Sequence, residues 1–366
     1  MNDEINFEFM SLALALAKKG QGKTRPNPCV GAILVKNKKI VGRGFHKTTG
    51  REHAEIIAIK EAGKLSKGAD LFVTLEPCSH QGKTPPCAKN IVESGIKNVY
   101  IAMIDPNPLV NGKGIKFLKK HGLNVFLGIM EEEAKKINLG FITRMKCSRP
   151  YVRSKIAVSL DGKTSLQNGK SRWITSKSSR EDVQKWRSKS CAILTGKGTI
   201  NIDNPSLQVK TLSSKNQPLR VILDSHLTIN LNSKILHQNN VLIIYGDDPN
   251  LNFSKIKKTK AKLKKISLIN NKIDLMKLMI FLNKLKINEL WVEAGPELNG
   301  ELLRLGLLDE LLTYMAPYIM GGDAHSMFNQ PILKNMKDKI KLSIVDFRHI
   351  GEDIRIQAKL TKNHVD

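Results

Sequence analysis

Two kinds of hydrophobic pattern alternate along the chain. Residues 7–19 place Phe7, Met10, Leu14 and Ala17 on one face at helical spacing, whereas short continuous apolar runs such as 71–75 are typical of buried strands. In the first part of the sequence we predict strands at 30–35, 40–42, 71–75, 99–103 and 125–128, and helices at 7–19, 54–62, 87–92 and 131–145. Strands that alternate with helices in this way predict an α/β sandwich.

The same kind of pattern starts again at Tyr151, after Arg149-Pro150 ends the helix predicted at 131–145. A helix follows Thr175 and continues through Arg187, and another follows the Gly-containing turn at 294–300. Strands are predicted at 151–157, 192–195, 220–224, 241–245, 289–293 and 311–318, with a closing hairpin at 339–345 and 353–360. A length of 366 residues suits two domains of roughly 150 residues each, so we predict domains 1–147 and 148–366.

The net charge of +27 comes mainly from lysines that are spread along the chain. Only 5% of residues are aromatic, which leaves little for base stacking, so a nucleic acid is the less favoured partner. We interpret the charge as attracting phosphorylated substrates, and the densest run, 255–265, as a solvated helix or loop.

Five cysteines without a leader-like N-terminal segment predict a reducing compartment in which thiols bind metal. The apolar stretch 10–17 is too short to span a bilayer. We therefore expect a cytoplasmic protein that has no membrane partner.

Four residues have the chemistry of a zinc hydrolase. His53, Cys78 and Cys87 supply one imidazole and two thiolates, which leaves the fourth position of a tetrahedral Zn²⁺ site for water. Glu55, two residues after the histidine, is the candidate catalytic group that moves protons. This order matches the nucleobase deaminase signature, except that eight residues separate the two cysteines instead of two.

The run Thr-Leu-Glu-Pro-Cys-Ser-His-Gln-Gly-Lys-Thr-Pro-Pro-Cys at 74–87 resembles the deaminase half of the bifunctional riboflavin-biosynthesis deaminase/reductases. The second half of the chain is similar to their reductase domain at 159–162, 171–175, 203–207 and 292–296. The resemblance covers nearly the whole chain and implies a cytidine-deaminase-like α/β/α sandwich followed by a dihydrofolate-reductase-like domain. It also implies Zn²⁺ and NADPH as cofactors; the sequence contains no G-x-G-x-x-G fingerprint of a Rossmann fold.

The resemblance also implies a reaction and a set of binding residues. The deaminase would hydrolyse 2,5-diamino-6-(5-phosphoribosylamino)pyrimidin-4(3H)-one, and the reductase would then pass a hydride to C1 of the ribosyl group. Residues implied for NADPH are Ala157, Trp173, Thr199, Ser225, Gly295, Pro296, Glu297, Leu298, Asn299, Gly300 and Glu301. Residues implied for substrate are Asn27, His46 and Lys83 in the first domain and Lys155, Ser171, Arg187, Asp203, Leu207, Lys210 and Glu293 in the second. Homo-oligomerisation through the reductase domain is implied as well.

Three alternatives remain open from the sequence. A nucleoside or tRNA deaminase with a basic appended domain would explain the charge and the zinc set, but not the stretches around Trp173 and Glu293. A binding protein with a structural zinc would need a fourth protein ligand. One domain could also have lost activity, since Lys210 stands where an arginine is expected and cannot bind phosphate in the same bidentate way.

Overall fold

The computed structural model describes residues 3–79, 86–213, 216–248, 251, 253 and 256–361. The chain divides into two compact units, Met1–Arg149 and Pro150–Asp366, and each unit is built around a central β-sheet of its own. In the part of the chain that is described, no helix is both long enough and apolar enough to cross a membrane.

The first unit contains a five-stranded sheet in the order β2-β1-β3-β4-β5. Strand β1 pairs antiparallel with both neighbours, while β3, β4 and β5 run parallel to one another. The strands are β1 Gly31–Lys36, β2 Lys39–Phe45, β3 Asp70–Val73, β4 Asn98–Ile101 and β5 Asn124–Leu127. The helices are α1 Asp3–Lys18, α2 Ala54–Ala62, α3 Cys87–Glu93, α4 Lys113–Lys120, α5 Glu131–Ile137 and α6 Leu139–Cys147.

Both faces of this sheet are covered, as the alternating pattern predicted. Apolar side chains of α2, α3 and α4 pack on one face, and those of α1 and α5 pack on the other. Two strand glycines allow helices to approach closely: a methyl group on Gly31 would lie 2.0 Å from the Ala13 carbonyl oxygen of α1. A methyl group on Gly44 would likewise lie 2.0 Å from the Ala54 carbonyl oxygen of α2. The first turn of α2 is therefore held directly against the sheet.

The prediction of one helix over 131–145 is wrong, because the structure has two helices that meet at Asn138. The backbone of Asn138 leaves the helical conformation, with φ at −117°. Its side-chain amide accepts a hydrogen bond from the Cys29 backbone N–H at 2.8 Å and donates one to the Cys29 carbonyl oxygen at 2.9 Å. A buried side chain that satisfies two distant backbone groups thus accompanies the interruption. Helix α4 was not predicted.

The second unit contains a nine-stranded sheet in the order β11-β10-β9-β8-β14-β6-β15-β18-β17. The first seven strands of this order, from β11 through β15, run parallel to one another. Strand β18 pairs antiparallel with β15, and the β17–β18 hairpin forms one edge of the sheet. Its strands are β6 Tyr151–Ser159, β8 Ala192–Gly196, β9 Leu219–Leu223, β10 Val241–Tyr245, β11 Lys262–Lys265, β14 Glu289–Val292, β15 Glu310–Ala316, β17 Leu342–Ile350 and β18 Asp353–Leu360. Short pairings outside this sheet are β7 Lys163–Ser165 with β16 His325–Ser326 and β12 Leu268–Ile269 with β13 Lys272–Ile273. The helices are α7 Lys177–Lys189, α8 Lys197–Asp203, α9 Leu275–Lys284 and α10 Pro296–Arg304.

Several details differ from the sequence prediction in this unit. Helix α8 covers 197–203, and α10 begins at Pro296 within the turn expected at 294–300. Residues 262–265 lie in the lysine-rich run that was expected to be a solvated helix or loop, yet they form the edge strand β11 beside β10. Leu263 contacts the apolar core while the lysines around it stay exposed, which suits a strand at a sheet edge. Helix α9, with buried Leu278 and Leu282, was not predicted.

Candidate active sites

The predicted metal donors meet at one end of the first sheet. His53 is the N-cap residue of α2, Cys78 follows β3, and Cys87 begins α3. The ligand atoms of these three residues lie within 4.8 Å of one another. His53 Nδ1 is 3.1 Å from Cys87 Sγ and 3.8 Å from Cys78 Sγ. The fold thus brings together donors that are as much as 34 residues apart in sequence.

These distances fit a tetrahedral metal. With Zn–N near 2.05 Å and Zn–S near 2.3 Å, a nitrogen and a sulfur on one zinc ion are about 3.6 Å apart. The observed separations of 3.1 and 3.8 Å lie on either side of that value. One imidazole and two thiols are also the donor set that a catalytic zinc takes in this class of site.

The electrostatics favour a negatively charged sulfur at Cys78. The Cys87 thiol donates to it, and His53 and the Cys87 backbone N–H add to this, so that the pKa of Cys78 falls to about 4. The pKa of Cys87 is raised, because its proton is held by Cys78 and because the thiol is buried. Hydrogen bonding to Cys78 raises the pKa of His53. The two cysteines therefore hold one proton between them, and a bound metal would displace it.

Glu55 lies in the first turn of α2 and is 3% exposed. Burial raises the pKa of its carboxyl group. Its Oε2 is buried and has no hydrogen-bond partner among the described residues. A carboxyl oxygen kept out of water beside the metal donors is suited to exchange protons with a reactant.

Asn27 and His46 form a pair next to the donors. His46 Nδ1 is 3.1 Å from the Glu52 carbonyl oxygen, which can only accept, so Nδ1 carries the proton. His46 Nε2 therefore accepts from Asn27 Nδ2 at 3.1 Å, and the Asn27 carboxamide oxygen is left as the end that can accept from a ligand. His46 is 2% exposed and its ring packs edge-on against the His53 ring. Both ring nitrogens of His46 are thus occupied by Asn27 and the Glu52 carbonyl oxygen, while Lys83 lies outside the described residues.

Two buried carboxyl groups near Cys78 were not predicted to have a role. Glu76, two residues before Cys78, is 3% exposed and accepts four backbone hydrogen bonds. Asp105 is 7% exposed, and burial raises the pKa of its carboxyl group to about 7. Both residues belong to recognisable sequence patterns, Glu-Pro-Cys and Asp-Pro-Asn-Pro, but neither pattern indicates which atoms the carboxyl group contacts.

In the second unit, the residues expected at NADPH follow the carboxyl ends of parallel strands. Ala157 lies near the end of β6, Thr199 in α8 after β8, Ser225 after β9, and Gly295 after β14. Because the strands are parallel, these ends lie at one edge of the sheet, a usual ligand position in such folds. Trp173 is 66% exposed and its carbonyl oxygen accepts from the Tyr318 hydroxyl at 3.2 Å.

Several charged residues expected at the substrate are brought together. Arg187 makes a two-pronged ion pair with Glu293, and Trp291 Nε1 donates to the same carboxylate at 2.7 Å. Burial lowers the pKa of Lys155, whose amine is also within electrostatic range of Arg187, Glu293 and Asp203. The Ser171 hydroxyl donates to Asp203 Oδ1 at 2.9 Å.

Three other residues that were expected to bind a ligand have side chains that lie in the protein interior or in solvent. Leu207 has φ at +51° and its side chain packs in the apolar core. Asn299 is buried, where its Oδ1 accepts from Ser154 and its Nδ2 donates to the Ala294 carbonyl oxygen. Lys210 is exposed, and its backbone N–H donates to Gln184. For Leu207 and Asn299, contact with a ligand would thus fall to backbone atoms.

Two protein families match the chain. Residues 3–103 match the cytidine and deoxycytidylate deaminase zinc-binding region, and residues 150–356 match the RibD C-terminal domain. The riboflavin biosynthesis protein RibD of Buchnera aphidicola subsp. Baizongia pistaciae is 42% identical over 95% of this chain and 96% of its own length. The Escherichia coli K12 protein of the same name is 38% identical over 97% of this chain and 98% of its own.

Two solved structures are similar to nearly the whole chain. Acinetobacter baumannii RibD superposes with a TM-score of 0.90 at 37% identity and covers 99% of this chain and 100% of its own. A Thermotoga maritima protein described as a diaminohydroxyphosphoribosylaminopyrimidine deaminase/5-amino-6-(5-phosphoribosylamino)uracil reductase gives 0.86 at 33% identity, covering 98% and 99%.

Proposed function

Because the chain belongs to the RibD family, bifunctional deaminase/reductases of riboflavin biosynthesis, we propose the residues that carry its two reactions and the substrate they act on. The first unit has the cytidine-deaminase-like fold, and the second is the family's reductase domain. The proposed substrate is 2,5-diamino-6-(5-phosphoribosylamino)pyrimidin-4(3H)-one. It is first deaminated and then reduced to 5-amino-6-(5-phosphoribitylamino)uracil.

For deamination, His53, Cys78 and Cys87 would hold Zn²⁺. When bound there, zinc lowers the pKa of a water molecule and so supplies a nucleophile near neutral pH. Glu55 accepts a proton from the attacking water and returns a proton to the amino group, which leaves as ammonia while the ring carbon gains oxygen. Burial suits Glu55 to this exchange, because it raises the pKa of the carboxyl group toward the working pH. The Asn27 carboxamide oxygen, fixed by His46, would accept a hydrogen bond from the substrate.

For reduction, NADPH would bind at the carboxyl ends of β6, β8, β9 and β14. NADPH would supply a hydride for C1 of the ribosyl group, and the ring oxygen released from C1 would need a proton. Lys155 is suited to supply it, because burial lowers the pKa of its amine. The ion pair with Glu293 uses Nε and Nη2 of Arg187, so phosphate binding would fall to Nη1.

The observation that supports this assignment best is the convergence of His53, Cys78 and Cys87 beside the buried, unpaired Glu55 oxygen. The experiment is a paired assay on the full chain that follows ammonia release and NADPH oxidation separately. Glu55→Gln should lower ammonia release by about 10²- to 10⁴-fold, because the proton carrier is lost. The same variant should still oxidise NADPH when it is given the deaminated intermediate.

Lys155→Met is the matched variant in the other unit and should show the opposite result, with normal ammonia release and slow NADPH oxidation. If Glu55→Gln releases ammonia at the wild-type rate, the proposed deaminase site is wrong. If the wild-type chain never oxidises NADPH with the intermediate, the proposed reductase site is wrong or that unit is inactive.

Two further proposals concern partners and location. The net charge of +27 would attract the phosphorylated substrate, as expected for a cytoplasmic enzyme of a small molecule. A homo-oligomer through the second unit is supported by the exposed edge strand β17, where Ile344 and Phe347 are 65% and 56% exposed. Light scattering of the purified chain would test it.

A further inference from the structure

Glu76 occupies an unusual position at the deaminase site. Its carboxylate is buried, and each of its two oxygens accepts two backbone hydrogen bonds. Oε2 accepts from the N–H groups of Asp105 at 3.2 Å and Gly112 at 2.9 Å. Oε1 accepts from Gly114 at 2.9 Å and Ile115 at 3.2 Å. One side chain therefore holds both ends of the 105–115 segment.

The segment is held against the chain that leads into Cys78. Gly114 lies in the first turn of α4, and a methyl group there would be 2.0 Å from the Pro77 carbonyl oxygen and 3.1 Å from Glu76 Oε1. The N-terminal N–H groups of a helix have no partner within the helix, so α4 obtains two of its partners from Glu76. The peptide that joins Pro77 to Cys78 is thus packed directly on the start of α4.

The Cys78 sulfur lies 3.8 Å from His53 Nδ1 at the start of α2. The remaining contacts of Cys78 come from the α3 side. The Cys78 carbonyl oxygen accepts from Ala88, and its sulfur accepts from the Cys87 backbone N–H at 3.4 Å. Cys78 lies outside any helix or strand, so no ladder of backbone hydrogen bonds fixes it. The direction in which its thiolate points depends on these contacts and on the Glu76 anchor two residues before it.

We propose that Glu76 is a positioning residue of the deaminase reaction, which sets the Cys78 thiolate and the 105–115 wall of the site through their backbone. This inference rests on the zinc site proposed above. Glutamine in place of Glu76 keeps the size but turns one acceptor oxygen into a donor that faces two N–H groups. The 105–115 segment and the peptide that joins Pro77 to Cys78 then have to move apart, although no metal donor has been removed.

The test uses the full chain loaded with Co²⁺, whose thiolate absorption band reports the geometry at sulfur. Glu76→Gln should lower kcat for ammonia release per bound cobalt by about 10- to 100-fold, the usual effect of residues that orient metal ligands. The cobalt–thiolate band should shift, KM should change less than kcat, and reduction of the deaminated intermediate should be unchanged. Asp70→Asn is the control: Asp70 begins β3 at the opposite end from Cys78, and an asparagine can still accept from Asn98.

Gly114→Ala is the second variant. It removes no charge, so it tests the positioning role if Glu76→Gln does not fold. It should move the same segment away from Pro77 and reproduce the loss of kcat per bound cobalt. If both variants melt at lower temperature but keep the wild-type kcat per bound cobalt and the wild-type band, Glu76 is only a structural support and the proposal is overturned. If the wild-type chain binds no cobalt, the metal site itself is wrong.

Discussion

Arg187→Met tests whether the buried ion pair of the reductase unit contributes to its stability. The side chains of Arg187 and Glu293 are only 14% and 13% exposed, and two parallel hydrogen bonds join them. Methionine keeps much of the volume but leaves Glu293 buried without its guanidinium partner. Removing one member of a buried pair leaves an uncompensated charge, which is strongly destabilising.

The magnitude follows from the carboxyl group. Burial alone would raise the pKa of Glu293, but Arg187, with help from Lys155 and Trp291, lowers it from 4.5 to about 2. A difference of that size corresponds to about 3 kcal/mol of unfolding free energy at neutral pH. Because the folded-state pKa is depressed, this stability is present above about pH 4.5 and is lost as the pH falls toward 2.

Tryptophan fluorescence during urea unfolding provides the assay. The three tryptophans, at 173, 186 and 291, all lie in the second unit, so the signal reports that unit alone. Arg187→Met should lose about 3 kcal/mol at pH 7, and the loss should shrink as the pH approaches 2. Adding Glu293→Gln should restore most of it, because the buried carboxylate that lost its guanidinium partner is then removed.

The exposed pair between Arg304 and Glu301 supplies the control, since Arg304→Met should cost less than about 1 kcal/mol. Arg187→Met would refute the reasoning if it cost no more than this control, or if Glu293→Gln gave no recovery in its background.

Two further changes test the first unit, with NADPH oxidation as the internal control in both. Cys87→Ser removes one of the three metal donors, so zinc measured by atomic absorption should fall and ammonia release should be lost; full zinc content in the variant would exclude Cys87 as a ligand. Gly44→Ala places a methyl group 2.0 Å from the Ala54 carbonyl oxygen and should push α2, with Glu55, away from the sheet. It should cost about 1–3 kcal/mol and slow ammonia release, whereas an unchanged rate would show that α2 can shift without moving Glu55.

The convergence of His53, Cys78 and Cys87 could be predicted because their residue types and order indicate a shared chemistry, whereas their role as metal ligands stays a prediction. Histidine, two cysteines and a nearby glutamate suit few other tasks, and the structure brings the three donors together. The contacts of Glu76 could not be found in this way, because its partners are backbone N–H groups of residues 105–115, and backbone groups have no sequence signature. Likewise, the lowered pKa of Lys155 depends on burial among residues that are distant in sequence.

Two of the errors in secondary structure have different physical causes. Residues 262–265 have lysines around a single leucine, and their charge suggested a solvated segment. An edge strand tolerates this pattern, because one face and one row of backbone groups remain in solvent. The helix over 131–145 was predicted from its acidic start and basic end, and only the tertiary contact of Asn138 shows where it is interrupted.

That contact determines where the chain can be cut to obtain the deaminase alone. Cys29 and Asn138 are 109 residues apart, and the Asn138 amide hydrogen-bonds to both backbone groups of Cys29, two residues before β1. A fragment that stopped at Ile137 would leave those groups buried without these partners, although it would contain every proposed metal ligand. An expression fragment that ends at Arg149, the last residue of the first unit, keeps the amide in place. The end point of such a fragment therefore depends on Asn138, which is not among the proposed ligand-binding residues.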